Sequence, residues 1–220
     1  DTPFENAQFL LFLTAVIKAV DEYQEMMRIS VASAGNDHRL GANEAPPAVV
    51  SIFLGDELME VIEAIDNDAA VSSKEAELMR IGVPILPKFP KDSTDRNRTS
   101  PFAFTGNKFE FRMLGSSVSI ADPNIVLNTA VAQVLREFAD KLEGSKDFEK
   151  DLHALIRETI HEHKRILFNG NGYDESWIKE AEARGLKNLK TTPDALAHML
   201  DQKNIDLFVQ NKVLSETELR

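Results

Sequence analysis

Cysteine is absent from the 220 residues, so neither a disulfide framework nor a thiolate nucleophile or metal ligand is available. That fits a reducing compartment. Positive charge is also short. Twenty-five Lys and Arg against 36 Asp and Glu leave a net charge of −11, with a pI near 5.0. Such a balance argues against a nucleic-acid or anionic-membrane surface. No apolar stretch is long enough for a membrane span: the run at residues 9–20 is too short and contains Lys18. Asp1 and Glu5 before it have the wrong sign for a secretion signal. The expected location is the cytoplasm. There is no internal repeat or low-complexity tract, and Gly106-Asn107-Lys108 lacks the upstream glycine spacing of a phosphate loop. No Met opens the chain, and Ser215-Glu216-Thr217-Glu218 is a capping box flanked by Leu214 and Leu219 as a staple, announcing a helix where the sequence stops. The expectation is a piece of a longer protein.

With 43% hydrophobic and 28% charged residues, the chain can form one good core, or one core plus an appendage. The pattern predicts a helix over about residues 5–28, buried in its first half (Phe9, Leu10, Phe12, Leu13). Its second half reads as amphipathic, with Asp21, Glu22, Gln24 and Glu25 opposite Val20, Tyr23 and Met27. Gly35 should break the helix, and residues 49–54 read as a buried strand after Pro46-Pro47. A short helix is expected at 56–65, followed by polar and proline-rich sequence up to residue 90. Strands at 102–105 and 108–114 should meet at Thr105-Gly106-Asn107. From there the chain reads as helical: 124–142 with Asp122-Pro123 as N-cap and N1, then 147–168, 174–184, 192–200 and 204–210. Trp177, Met199 and Phe208 are expected in the core or an interface.

Two polar segments interrupt the apolar ones. Residues 35–48 and 95–112 together hold Arg39, Arg96, Arg98 and Arg112, with Glu44 and Glu110. Guanidinium groups gathered in an acidic protein suit an anion, because the planar fork meets carboxylate or phosphate oxygens two at a time. Ordinary surface ion pairs are the alternative. In Lys108-Phe109-Glu110-Phe111-Arg112-Met113 the alternation is strict. It should send Phe109, Phe111 and Met113 to one face and Lys108, Glu110 and Arg112 to the other face of a central strand. Glu110 could then serve a metal as a hard oxygen ligand, or simply pair across a solvated sheet face. Glu44 lies between permissive Gly41-Ala42-Asn43 and stiff Pro46-Pro47, the build of a short arm on a rigid anchor; an exposed turn is the plainer reading.

The run Asn36-Asp37-His38-Arg39-Leu40-Gly41-Ala42-Asn43-Glu44-Ala45-Pro46 resembles the glutamate-binding loop of glutamine synthetases. Arg96-Asn97-Arg98-Thr99-Ser100, Glu110-Phe111-Arg112 and Ala121-Asp122-Pro123-Asn124 resemble three later motifs of the same family, in order. The wording Gly-Ala-Asn-Glu-Ala-Pro-Pro-Ala and Thr-Gly-Asn-Lys-Phe-Glu-Phe-Arg is similar to the type III subfamily. This resemblance implies ATP-dependent phosphorylation of the glutamate γ-carboxylate, followed by displacement of phosphate by ammonia. Arg39 and Arg112 would hold glutamate, with Glu44 closing over it and taking a proton from ammonium. Arg98, with Arg96, would meet the ATP phosphates, and Glu110 would ligate Mg²⁺ or Mn²⁺. It further implies a homo-oligomeric ring with no nucleic-acid or membrane partner.

The resemblance is incomplete. Type I enzymes have one more residue between the positions of Arg39 and Glu44, and a second Arg where Pro101-Phe102-Ala103-Phe104 stands here. Asp122 replaces the usual Asn, and the family's Glu-x-Glu, His and Asn-Gly motifs would precede Asp1. The resemblance implies an α+β fold: residues 1–144 as part of a glutamine-synthetase-type catalytic domain, antiparallel strands on helices, and 145–220 as a helical extension. A γ-glutamyl-amine ligase and a non-catalytic piece that only folds or associates are the rival readings. His161 and His163, two apart on a helix, read as exposed surface; His38 reads equally as a substrate contact or a loop contact.

Overall fold

A computed structural model of the chain describes residues 3–42, 44–67 and 99–220. Helix α1, Pro3–Glu22, breaks for one residue at Tyr23 and resumes as α2, Gln24–Ile29. Helix α3, Ala34–Arg39, strand β1, Ile52–Phe53, and helix α4, Asp56–Asn67, follow. Strands β2, Phe102–Phe104, and β3, Phe109–Phe111, precede a helical second half. Its elements are α5 (Ala121–Leu142), α6 (Phe148–His163) with a 3-10 turn at Lys164–Ile166, and α7 (Glu175–Ala183). Helices α8 (Thr192–Leu196), α9 (Gln202–Gln210) and α10 (Glu216–Leu219) complete it. The α+β expectation holds: many helices around one small mixed sheet.

The sheet has the order β1-β2-β3, with β2–β3 antiparallel and β1–β2 parallel, where only antiparallel strands were expected. Chain length explains the difference. β2 and β3 are joined by a tight turn, closed by Thr105 N–H donating to Lys108 O at 2.8 Å with Gly106 at φ +92°. The β1–β2 connection, by contrast, is long enough for a parallel crossover. β3 is consequently an edge strand among the described residues, not a central one. The alternation itself is realised. Phe102, 1% exposed, stacks on Phe109 with ring centroids 4.9 Å apart and meets Phe111 edge-on at 6.0 Å. Residues 49–54 are buried as expected, yet only Ile52–Phe53 forms ladder bonds with β2. The other edge of β1 receives Leu167, and Phe168 N–H donates to Ile52 O at 2.8 Å. Helix α6 ends early, at His163, which frees the chain for that bridge. Four residues beyond Phe168, Gly172 lies so close to Thr99 that a Cβ there would come within 2.7 Å of the Thr99 carbonyl oxygen.

Two predicted caps move. Gly35 does not break a helix but sits inside α3, which Ser33 starts by accepting from Asn36 N at 3.1 Å. Ile120, not Asp122, occupies the N-cap of α5, and Asp122-Pro123 falls within the first turn, where a missing proline N–H leaves no bond unmade.

The larger correction concerns α1 and α2. Phe12 in the first half is 46% exposed, whereas the polar side of the second half is buried, with Asp21, Glu25 and Arg28 each 1% exposed. α1 packs on both α5 and α6, and the later chain covers what a two-sided helix would have shown to water. Charged partners come with the cover. Asp21 accepts from Arg165 Nε at 2.9 and 3.0 Å and lies 2.8 Å from His163 Nδ1. Glu25 Oε1 meets Lys187 Nζ at 2.5 Å and Lys203 Nζ at 2.8 Å. Arg28 donates to Leu189 O at 2.8 Å, to Lys190 O at 3.1 Å and to Asp37 Oδ1 at 2.6 Å.

Burial alone would raise the Glu25 carboxyl; the bonds from Lys187 and Lys203 overcome it and hold the group below its ordinary 4.5. The stability this provides is present above pH 4.5 and is lost as pH falls through the lower folded value. In denaturant titrations across acidic pH, Glu25→Gln should flatten the decline seen for the parent chain. Replacing Lys187 and Lys203 together by Met strands a buried carboxylate and should destabilise the chain by about 3–5 kcal/mol at neutral pH. Glu25→Gln should lose less, because the two lysines, 36% and 47% exposed, can turn to water.

Candidate functional site

The segment from Ser33 to Pro46 builds the centre of the site. Ser33 caps α3, and this helix of six residues places Asn36 and Arg39, three apart, on one side and Asp37 on another. Asn36 is buried; its Nδ2 donates to Val31 O at 2.7 Å and Met113 O at 2.9 Å, tying α3 to the end of β3. Arg39 reaches the same place. It donates from Nη1 to Asn36 Oδ1 at 3.2 Å and Met113 O at 3.0 Å, and from Nη2 to Arg112 O at 3.2 Å. Three of its five N–H donors are thus spent on orientation, and two remain for a ligand.

Arg112, beside it, donates to Glu110 Oε2 from Nη2 at 3.0 Å and from Nε at 3.3 Å. Lys108 Nζ stands 3.4 Å from the other Glu110 oxygen. The structure therefore brings Arg39, Arg112 and Glu110 together at the exit of β3. The Arg112 bond, reinforced by Lys108, holds the Glu110 carboxyl below its ordinary 4.5 against the opposing effect of burial. Glu110 is ionised at neutral pH, as a metal-ligating oxygen must be. One carboxylate fits Mg²⁺ or Mn²⁺ as a single ligand out of about six oxygens.

After Arg39 the chain turns at Gly41, φ +80°, and closes with Gly41 N–H donating to Pro46 O at 2.9 Å. Glu44 is exposed and held at φ +63°, a left-handed backbone uncommon outside glycine. The next residue, Ala45, is 1% exposed. An acidic tip on a buried anchor is the arrangement the Gly-rich and Pro-Pro flanks suggested. Arg96 and Arg98 lie outside the described residues. His38 is exposed and lines a cleft of about 590 Å³ with Leu40, Gly41 and Lys190.

Asn36 and Asp37 escaped notice in the sequence, although both lie inside the motif. The only available signal was Ser33 three residues before Asn36, a capping pattern that would have put both on a helix. His163, expected on an exposed face, is instead 8% exposed and paired with Asp21; His161 does face water, 2.7 Å from Asp66. Glu25, His198 and Asp201 form the one group of three possible metal ligands among the described residues. Two ammonium groups already neutralise Glu25, so the group reads as an ion-pair cluster. Trp177 and Phe208 are buried and Met199 packs against the core, as expected.

The last third of the chain carries a family match. Residues 151–220 match the glutamine synthetase C-terminal domain. A type-3 glutamine synthetase of Dictyostelium discoideum is 50% identical over 99% of this chain, and a glutamine synthetase of Butyrivibrio fibrisolvens 45% identical over 99%. One from Bacteroides fragilis (strain YCH46) is 42% identical over the same share. The glutamine synthetase resemblance carried by the four motifs therefore extends over the whole chain, which spans about 30% of the length of these curated relatives. No helix among the described residues is long and apolar enough to cross a membrane.

The Glu110–Arg112 contact makes a direct prediction. Arg112→Leu removes the first cause of the low Glu110 pKa, so carboxyl NMR titration should show Glu110 moving up toward 4.5. An unmoved value would place Arg112 outside the pair.

Proposed function

We propose that this chain supplies part of the active site of a type III glutamine synthetase, which joins ammonia to the γ-carboxylate of glutamate at the expense of ATP. The observation that supports it best is the convergence of Arg39, Arg112 and Glu110 beside a loop that presents Glu44. Glutamate is a dianion with one ammonium group, and a pair of fixed guanidinium groups matches its carboxylates. Arg39 and Arg112 bind and orient it. ATP transfers its γ-phosphoryl group to the γ-carboxylate, giving γ-glutamyl phosphate and ADP; ammonia then attacks the acyl carbon and inorganic phosphate leaves. Arg98, with Arg96, faces the charge on the transferring phosphoryl group. Glu44 attracts ammonium, removes a proton from it and shields the acyl phosphate from water. Glu110 contributes one ligand to a bound Mg²⁺ or Mn²⁺, which when present screens the phosphate charge. The remaining ligands come from other sequence, and the working enzyme is a cytoplasmic homo-oligomeric ring.

In the full-length enzyme, Glu44→Gln should lower glutamine formation by about 100-fold or more while ATP binding is retained. Equal losses in both would make the loop structural. Glu110→Ala should shift the metal-activation curve to higher concentration, and an unchanged curve would remove Glu110 from the metal. The purified 220-residue chain should make no glutamine, because one carboxylate holds a divalent ion weakly. Turnover by that chain, free of host enzyme, would refute the division of the site.

A further inference from the structure

We infer that Asp37 is a positioning residue, through which residues 189–192 hold the loop that carries Arg39 and Glu44; the inference rests on the reading of those two as substrate groups. Helix α3 has six residues, too few to be stable by its own hydrogen bonds. Its orientation is set from outside, on two sides. On one side Asn36 and Arg39 are bonded to the carbonyls of Arg112 and Met113 at the end of β3. On the other, Asp37 is engaged by Arg28 of α2 and by Thr192 of the later chain. Its Oδ1 accepts from Arg28 Nη2 at 2.6 Å and Thr192 Oγ1 at 3.0 Å, and its Oδ2 accepts from Thr192 N at 2.6 Å.

Arg28 explains why this second side is rigid. It is 1% exposed, and Asp37 is the carboxylate that pairs with it; Nη1 is buried with no hydrogen-bond partner. A buried guanidinium without its counter-charge is strongly unfavourable, so Arg28 and Asp37 keep to one arrangement. The same arginine donates to Leu189 O and Lys190 O, which fixes the turn that delivers Thr192. Held from β3 alone, α3 can roll about the Asn36 contact. Held from both sides it cannot, and Arg39 at its last position and the loop beyond inherit that fixed direction. A displacement of about 1 Å at a substrate-orienting group lowers rate by about 100-fold, so such a brace acts on glutamate and leaves nucleotide binding alone.

The test uses the full-length oligomeric enzyme carrying Asp37→Asn, and separately Thr192→Val, which removes one bond and keeps every charge. Steady-state assays read KM for glutamate and for ATP, and hydrogen–deuterium exchange of the free enzyme reads backbone protection at residues 40–45. Asp37→Asn should raise the glutamate KM by about tenfold with the ATP KM unchanged, and should speed exchange at 40–45. Thr192→Val should move both readouts the same way by less, and Asp37→Glu should restore part of each. Unchanged glutamate KM and exchange in both variants overturns the proposal. So does an equal rise in both KM values, which marks a general loss of folding. If Glu44→Gln leaves glutamine formation intact while Asp37→Asn still speeds exchange, the substrate reading of the loop is overturned and the brace is supported.

Discussion

Asp21, Glu25 and Arg28 follow one another at intervals of four and three along the first two helices, the spacing that puts side chains on a common face. All three are almost wholly excluded from water, and each meets its counter-charge or its carbonyl acceptors in residues 163–203. Apolar surfaces tolerate sliding by a residue or two, because the gain from burial is non-directional. A buried ion pair does not, since a shift that separates the charges leaves each desolvated and unmatched. The contact between the N-terminal helices and the later chain therefore has one register. Sheet, loop and cleft are arranged around it.

The site inherits that register from two directions. The end of β3 arrives through the phenylalanine stack of the small sheet, which fixes where Glu110 and Arg112 project. α3 arrives through the buried polar face of α1 and α2. Both β3 and α3 are short, yet the guanidinium of Arg39 ends against the carbonyls of Arg112 and Met113. Short pieces of backbone become precise when they are cross-braced by buried, hydrogen-bonded side chains.

Strict alternation made β3 legible from sequence, because a phenylalanine-rich edge strand has only one way to bury its rings. The turn at Gly41 before Glu44 was readable too, since a positive φ at glycine is a matter of local backbone geometry. What is not local stayed hidden. A helix with acids opposite apolar residues looks half solvated, and nothing in residues 21–28 says that Lys187 and Lys203 will cover it from more than 150 positions away. The parallel pairing of β1 depends on a crossover rather than on the strand's own residues. Glycine is a poor helix former, which is why Gly35 reads as a breaker, but the Ser33 cap and the Asn36 ties outweigh that preference of about 1 kcal/mol. Nothing in the sequence marks Asp37, because its partners, Arg28 and Thr192, become neighbours only in the folded chain.

The separation between α1 and its partners also sets an order of events during synthesis. Asp21 waits for Arg165, and Glu25 for Lys187 and Lys203, so the first helix leaves the ribosome well before the residues that enclose it. Through that interval its charged stripe faces water and its apolar side is shared with nothing distant. The acids that later become structural thus serve first as solubilising groups on a nascent chain whose contacts are of long range and slow to close.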